Sequence, residues 1–333
     1  MQIKSLVTGG AGFIGSHIVN HLIEQGHQVV VLDDLSGGFI ENIHPQAEFC
    51  KGSITDVFLV NGLFQEYQFD YVYHLAAYAA EGLSHFIRRF NYQNNLIGSI
   101  NLINAAVNFN VKCFVFASSI AVYGDSDLLL NEQQTPKPID PYGIAKYAVE
   151  MDLENARQLF GLNSIIFRPH NVYGSGQNIG DKYRNVVGIF MNQILKNEPL
   201  TIFGNGQQTR CFSHINDVAP YIANAVNIKE AQNKIFNIGG GQAYSINKLA
   251  DEVITIMGKN TSKKFLSARH EAIQANADHT EFNTVFKPAK SMNLKTGLQE
   301  MANWVQKKGA LKSTSFSAIE INKNMPESWK KNH

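Results

Sequence analysis

Lys4-Ser5-Leu6-Val7-Thr8-Gly9-Gly10-Ala11-Gly12-Phe13-Ile14-Gly15 decides how this chain folds. The apolar start reads as a short buried strand. Three spaced glycines follow, and Ser16-His17-Ile18-Val19-Asn20-His21-Leu22-Ile23 then reads as an amphipathic helix. Strand, glycine turn and helix are what a dinucleotide needs: the glycines allow a tight turn and close backbone approach, and the helix N-terminus faces the pyrophosphate. The spacing is G-x-x-G-x-x-G, and a glycine triplet alone also fits an ordinary strand-to-helix turn. A second strand, Gln28-Val29-Val30-Val31-Leu32, ends in Asp33-Asp34 and weighs against that plain reading. An acid there hydrogen-bonds the adenosine ribose and repels a 2′-phosphate, which favours NAD over NADP.

Tyr142-Gly143-Ile144-Ala145-Lys146 carries the chemistry. Pro141 suits a helix start, and Tyr142 and Lys146, four residues apart, share one helix face. A free phenol, with a pKa near ~10, is a poor base at neutral pH. An adjacent ammonium, together with a positive nicotinamide ring, is expected to favour the phenolate and make it a usable acid/base. A Tyr and a Lys at this spacing are also common on helix surfaces. Upstream, however, Phe114-Val115-Phe116-Ala117-Ser118-Ser119 reads as a buried strand ending in hydroxyls, and ligands gather at such strand ends.

The chain has 333 residues, 44% of them hydrophobic, enough for a large core in one large or two smaller domains. A net charge of +1 with no basic block before the tail gives no reason to expect nucleic acid. Cys50, Cys113 and Cys211 are far apart and lack metal spacing, so no metal is expected, and their low, odd count fits a reducing cytosol. The first residues already form strand and turn, which leaves no signal-peptide pattern. No apolar run approaches the roughly 18 residues a membrane span needs. A cytoplasmic protein is expected.

Strands at 47–50, 71–75 and 113–118 alternate with helices over 57–67 and 87–108, which argues for a parallel sheet with helices on both faces. A helix over 141–160 and a strand over 164–168 extend the pattern. Later come a polar loop over 175–181, a helix over 186–196, a strand over 200–203, a returning strand over 235–238 and a helix over 245–257. From Ser313 the tail is polar and Lys/Asn-rich and reads as a solvated, loosely ordered terminus.

TGGAGFIG at Thr8 to Gly15, HLAA at His74 to Ala77, SSIAVYG at Ser118 to Gly124, YGIAK at Tyr142 to Lys146, RPHNVYG at Arg168 to Gly174 and IFGNGQQTR at Ile202 to Arg210 form one set. With it the chain resembles the extended short-chain dehydrogenase/reductases, specifically the nucleotide-sugar epimerases and dehydratases, from about Ile3 to Val305. The resemblance implies an α/β fold: a Rossmann doubly wound parallel sheet over 1–174, a smaller substrate lobe over 175–312 with segments returning to the large domain, and the tail over 313–333. It implies NAD as cofactor, held by Gly9, Gly12, Phe13, Ile14 and Gly15 in the turn and by Asp33, Asp34, Ser36 and Gly37 after the second strand. Ser53 and Ile54 fall at the adenine, and Leu75, Ala76, Ala77, Asn94, Ser118, Pro169, Tyr142 and Lys146 complete the cofactor set. Catalysis falls to Tyr142, Lys146 and Ser119.

Substrate binding, in the same resemblance, falls to Ser119, Tyr142, Asn171, Asn185, Val186, Phe203, Arg210 and Arg269, with both arginines on a diphosphate and Glu271 toward the nucleoside ribose. An arginine's planar fork suits two phosphate oxygens. The expected activity is inversion at C4 of a UDP-hexose through a 4-keto sugar. Alternatives are dehydration, decarboxylation or uronate epimerisation by the same C4 oxidation, or an NAD-binding regulator without catalysis. The partners implied are a nucleotide-diphosphate sugar and a second copy of the chain, paired through helices 87–108 and 141–160 with Leu96, Ile100, Leu153 and Leu159. No nucleic acid and no membrane are expected.

Three places depart from the family pattern. Ser53 stands where an acid is usual. His170 stands where phenylalanine is common and could reach the sugar or the nicotinamide, or pack as a neutral ring. Ala79 and Glu81 replace the usual residues on the nicotinamide side. With one residue deleted after Arg269, the resemblance puts Ala275 at the position that limits the sugar's 2-substituent, where a small side chain implies room for an N-acetyl group; a shifted deletion puts Gln274 or Asn276 there instead. Lys182 and Arg184 could instead meet a sugar carboxylate.

Overall fold

Leu6, Val7 and Thr8 are fully buried, as a strand covered on both faces of a parallel sheet must be. In the computed structural model, which describes residues 2–126, 129–269, 274–313 and 315–330 (without the side chains of Gln274 and Ala275), Lys4–Thr8 is the inner strand from which the sheet grows both ways. Seven strands run parallel in the order Lys234–Ile238, Ser164–Pro169, Cys113–Ala117, Tyr71–His74, Lys4–Thr8, Gln28–Asp33, Glu48–Lys51. The chain fills one side first and then crosses back to Tyr71–His74. The switch point therefore lies where Thr8 and His74 end, the crevice in which doubly wound sheets bind ligands.

One apolar core lies on each face of this sheet. His74 of the HLAA motif bolts it together: Nδ1 is 2.7 Å from Thr8 Oγ1 and Nε2 is 2.8 Å from Ser99 Oγ. Burial drives its pKa far down, so the ring is a neutral bridge between strand and helix. The Pro141–Phe160 helix begins where the sequence signals it: Asp140 accepts the Gly143 N–H at 2.8 Å, Pro141 follows, and Gly161 ends the helix at φ +76°.

The expected helix over 87–108 differs in its middle. Arg88–Tyr92 and Gly98–Asn108 are joined by a π turn, Gln93–Ile97. Asn95 there accepts the Tyr78 N–H at 2.8 Å and donates to the Tyr78 carbonyl at 3.2 Å, clamping the segment that follows HLAA. Such π turns often mark functional sites.

A third core joins the helices Val186–Leu195, Ile246–Met257 and Leu294–Lys308. Beside it, Leu200–Phe203 pairs with Lys263–Leu266, and Thr209–Cys211 lies between Ala243–Ser245 and Gln274–Ala275. No helix among the described residues is long and apolar enough to cross a membrane.

Two expectations are corrected. Residues 315–330 are mostly exposed, as expected, but they are anchored rather than loose. Met325 and Trp329 are buried, and Phe316 and Ile319 pack with them against Leu83, Ile87 and Tyr183. These apolar residues are scattered without a period among Lys and Asn, so no pattern announced them. Second, Leu153 is not a spare apolar residue of its helix but is fully buried core; Ile97, Ile144, Met151, Leu159 and Phe160 are the exposed ones.

Candidate active site

The glycine turn is shaped by close approaches. Gly9 has φ +74°, and a Cβ on it would lie 2.7 Å from the Ala76 nitrogen. A Cβ on Gly15 would lie 2.1 Å from the Gly9 carbonyl oxygen. Gly12 starts the Phe13–Glu24 helix with no side-chain cap and no acid in its first turn, so the helix end is left to receive an anion. Asp33 fastens this turn, accepting the Ala11 N–H at 3.1 Å on Oδ2 and the Leu35 N–H at 2.8 Å on Oδ1. Burial pushes its carboxyl up, against those two bonds. Asp34 accepts the Ser36 N–H at 2.8 Å.

The turn opens into a cleft of about 1630 Å³, solvent at its mouth included. Every residue expected to hold the cofactor lies along its wall, from Gly9 and Phe13 through Asp33, Ser53 and Asn94 to Ser118, Lys146 and Pro169. The uncapped helix end, the Cβ-free cradle and two carboxylates fit a dinucleotide.

Tyr142 and Ser119 stand at the inner end of the cleft. The Lys146 ammonium donates to the Ala117 carbonyl at 2.7 Å and lies 5.8 Å from the Tyr142 ring centroid. Burial draws the ammonium down to about 7, with the Glu150 carboxylate opposing. The expected depression of the phenol is not present in the polypeptide alone. Burial raises the Tyr142 pKa, Glu81 and Asp140 add to the rise, and a hydrogen bond with Ser119 works the other way. Desolvation outweighs an ammonium that points at a backbone carbonyl.

Beneath the site lies a buried ionic cluster. Glu150, two helical turns after Tyr142, accepts from Arg168 Nε at 3.0 Å and Nη2 at 2.5 Å, and from the Ser118 hydroxyl. The Arg168 guanidinium lies 4.7 Å from the Tyr123 ring centroid, and the Tyr123 hydroxyl donates to Asn237 at 2.8 Å. The cluster ties the cofactor floor to the returning strand.

A second cavity of about 750 Å³ meets the cleft at Ser119, Asn171 and Glu81. Arg210 and Arg269 line it, with His85 and Asp140. Asn171, at φ +41°, donates to the Cys211 carbonyl at 3.0 Å, and Arg210 Nη1 donates to the Thr209 carbonyl at 2.8 Å. Asp140 is pushed up to about 7 by burial and then by Glu81. His170 both packs and lines the smaller cavity: its ring stacks on His279 at 5.1 Å, and burial drives it down to about 3.

Other expected substrate residues are arranged differently. Asn185 lines the cofactor cleft and caps Val186–Leu195 through the Val187 N–H. Val186 packs on the third core, and Phe203 lies under the Arg269 guanidinium at 4.6 Å; neither lines these two cavities. Lys182 and Arg184 do not reach the smaller cavity. Arg184 instead bonds Asp181 at 2.7 Å, stacks on Tyr78 at 4.8 Å and crosses the cleft toward Gly37. No local motif signals that crossing, because its partners are far away in sequence. Glu271 lies outside the described residues, as does the side chain of Ala275, whose backbone pairs with Arg210.

Comparison with known proteins agrees with this geometry. The model of the NAD dependent epimerase/dehydratase family matches residues 5–239. A putative UDP-glucose 4-epimerase of Methanocaldococcus jannaschii is 36% identical over 313 residues, covering 90% of this chain and 98% of its own. The crystal structure of the UDP-glucose 4-epimerase of Thermotoga maritima with UDP-glucose has a TM-score of 0.88 at 34% identity, covering 92% of this chain and 99% of its own. The UDP-glucuronic acid 4-epimerase of Bacillus cereus, in complex with UDP-glucuronic acid and NAD, has a TM-score of 0.85 at 28% identity, covering 92% of this chain and 100% of its own.

Proposed function

The chain belongs to the NAD dependent epimerase/dehydratase family, and from that membership we propose that it inverts C4 of a UDP-hexose with NAD retained in the cleft. One observation carries the reading. Ser119 stands where the cofactor cleft meets the cavity that holds Arg210 and Arg269, with Tyr142 beside it. A sugar whose diphosphate is held by the arginines would present its far end to Ser119 and Tyr142.

Bound in the cleft, NAD supplies a reversible hydride acceptor. The chain's own residues handle the proton. Tyr142, ionised, takes it from the C4 hydroxyl and returns it after the sugar has turned. Ser119 hydrogen-bonds the same hydroxyl and orients it. Lys146, which lines the cleft, would hold the nicotinamide ribose of the bound cofactor. Arg210, Arg269 and Asn171 keep the diphosphate fixed while the 4-keto sugar rotates about its phosphate linkage.

The rising limb of kcat/KM against pH reports the base of the free enzyme. In Glu81→Gln it is expected at lower pH, because removing a negative charge facing the phenol favours the phenolate. Asp140 then ionises more fully and offsets part of the shift. A limb that stays in place or moves upward would contradict this electrostatic account.

We also propose a homodimer. Ile97, Ile144, Met151, Leu159 and Phe160 are exposed along the 88–108 segment and the Pro141–Phe160 helix, and an isologous pairing of these helices would cover them. Light scattering at micromolar concentration is expected to give twice the chain mass; a monomer mass would refute it.

The test of the function is a screen of UDP-, GDP-, dTDP- and CDP-hexoses, including N-acetylated and uronic forms, with product analysis. C4 inversion of a UDP-hexose is expected. Ile120 and Ala121 cannot exchange protons for an elimination, so a 4-keto-6-deoxy product by mass spectrometry would overturn the proposal.

A further inference from the structure

Residues 315–330 reach Arg269, which lines the smaller cavity, although the family resemblance stops near Val305. They are clipped to the sheet side of the molecule: Glu320 accepts the Arg89 and Phe90 N–H groups at 2.8 and 2.9 Å, and its own N–H reaches the Phe86 carbonyl at 2.8 Å. On the other lobe the Phe316 N–H donates to the Tyr183 hydroxyl at 3.2 Å. The segment therefore joins the 86–90 stretch to Tyr183.

Its end places one aromatic ring at a definite point. Trp329 is 4% exposed and meets the Phe203 ring edge-on at 5.9 Å. The Arg269 guanidinium lies 4.6 Å from the Phe203 centroid and 5.7 Å from the Trp329 centroid. Gly82 leaves the space: a Cβ there would be 3.0 Å from Trp329 Cη2 and 3.5 Å from Arg269 Nη1. A planar cation against two aromatic rings is attracted by both and loses rotamer freedom.

We propose that the C-terminal segment is a working part of the substrate pocket, and that Trp329 is a positioning residue which, with Phe203, holds the Arg269 guanidinium ready for the substrate's diphosphate. The inference rests on the proposed nucleotide-sugar reading and assigns that site a residue beyond the family's motifs. Preorganising one charged fork lowers the ordering cost of binding, so the effect falls on affinity for the nucleoside diphosphate.

The probe is UDP, titrated calorimetrically into the full-length protein with NAD bound. Trp329→Leu keeps an apolar side chain and removes the ring face; it is expected to weaken UDP binding roughly tenfold. Trp329→Phe keeps a ring and is expected to stay within about twofold. In an Arg269→Ala background, Trp329→Leu should add no further loss, because the indole then has no guanidinium to hold. Unchanged UDP affinity in Trp329→Leu, or the same loss with and without Arg269, overturns the proposal, as does Trp329→Phe binding as weakly as Trp329→Leu. If Trp329→Leu does not fold, Arg269→Lys decides: it keeps charge and loses the planar face, and wild-type UDP affinity there overturns the proposal. A wild-type protein that binds no UDP overturns the nucleotide-sugar reading itself, and that result is distinct from all of these.

Discussion

Tyr142→Phe is expected to lower turnover by roughly 10²- to 10⁴-fold, the usual cost of removing a general acid/base. NAD content should stay near that of wild type. The phenol hydroxyl is the only group removed, and the features shaped for the dinucleotide lie elsewhere. Those are the cradle of Gly9, Gly12 and Gly15, the uncapped helix end at Phe13, and the acids Asp33 and Asp34. The ring itself remains to fill its buried site, and the Tyr142 backbone N–H still donates to the Ser84 hydroxyl. Turnover above half of wild type would remove Tyr142 from the proton path. Loss of NAD in parallel would mean that the phenol serves binding.

Arg168→Met is expected to cost about 3–5 kcal/mol of folding stability, through the carboxylate it leaves behind. Glu150 and Arg168 are 3% and 2% exposed, so solvent screens little of their pairing. With the guanidinium gone, Glu150 keeps one hydroxyl donor, Ser118, and no counter-charge among its bonded partners. Replacing both residues, Arg168→Met with Glu150→Met, should recover most of the loss, because an apolar pair avoids the cost of burying the two charges. Urea midpoints of the single and double variants check this. A single variant within about 1 kcal/mol of wild type would show that the ion pair is dispensable.

The sheet could be read from the sequence because each strand is short, apolar and closed by a local signal: glycines after Thr8, acids after Leu32, hydroxyls after Ala117. Tyr142 and Lys146 could be read because helix geometry converts a spacing of four into a shared face. What escaped depends on distant partners. The π turn at Gln93–Ile97 answers to Tyr78, and the crossing of Arg184 to Tyr78 and Gly37. Trp329 is buried by rings contributed from Phe86, Tyr183 and Phe203. The charges around the phenol depend on distant partners too. Spacing brings an ammonium near, but it does not report that Lys146 donates to the Ala117 carbonyl or that the Glu81 charge raises the phenol's pKa.

The central claim is that one hydride leaves C4 of the sugar and returns to the same carbon from the opposite side. It is tested most directly with UDP-glucose carrying deuterium at C4, incubated with the enzyme in ordinary water and followed by NMR. The account predicts UDP-galactose that keeps its deuterium at C4. A C4-inverted product whose deuterium has washed into the solvent, or no inversion at C4, would contradict it.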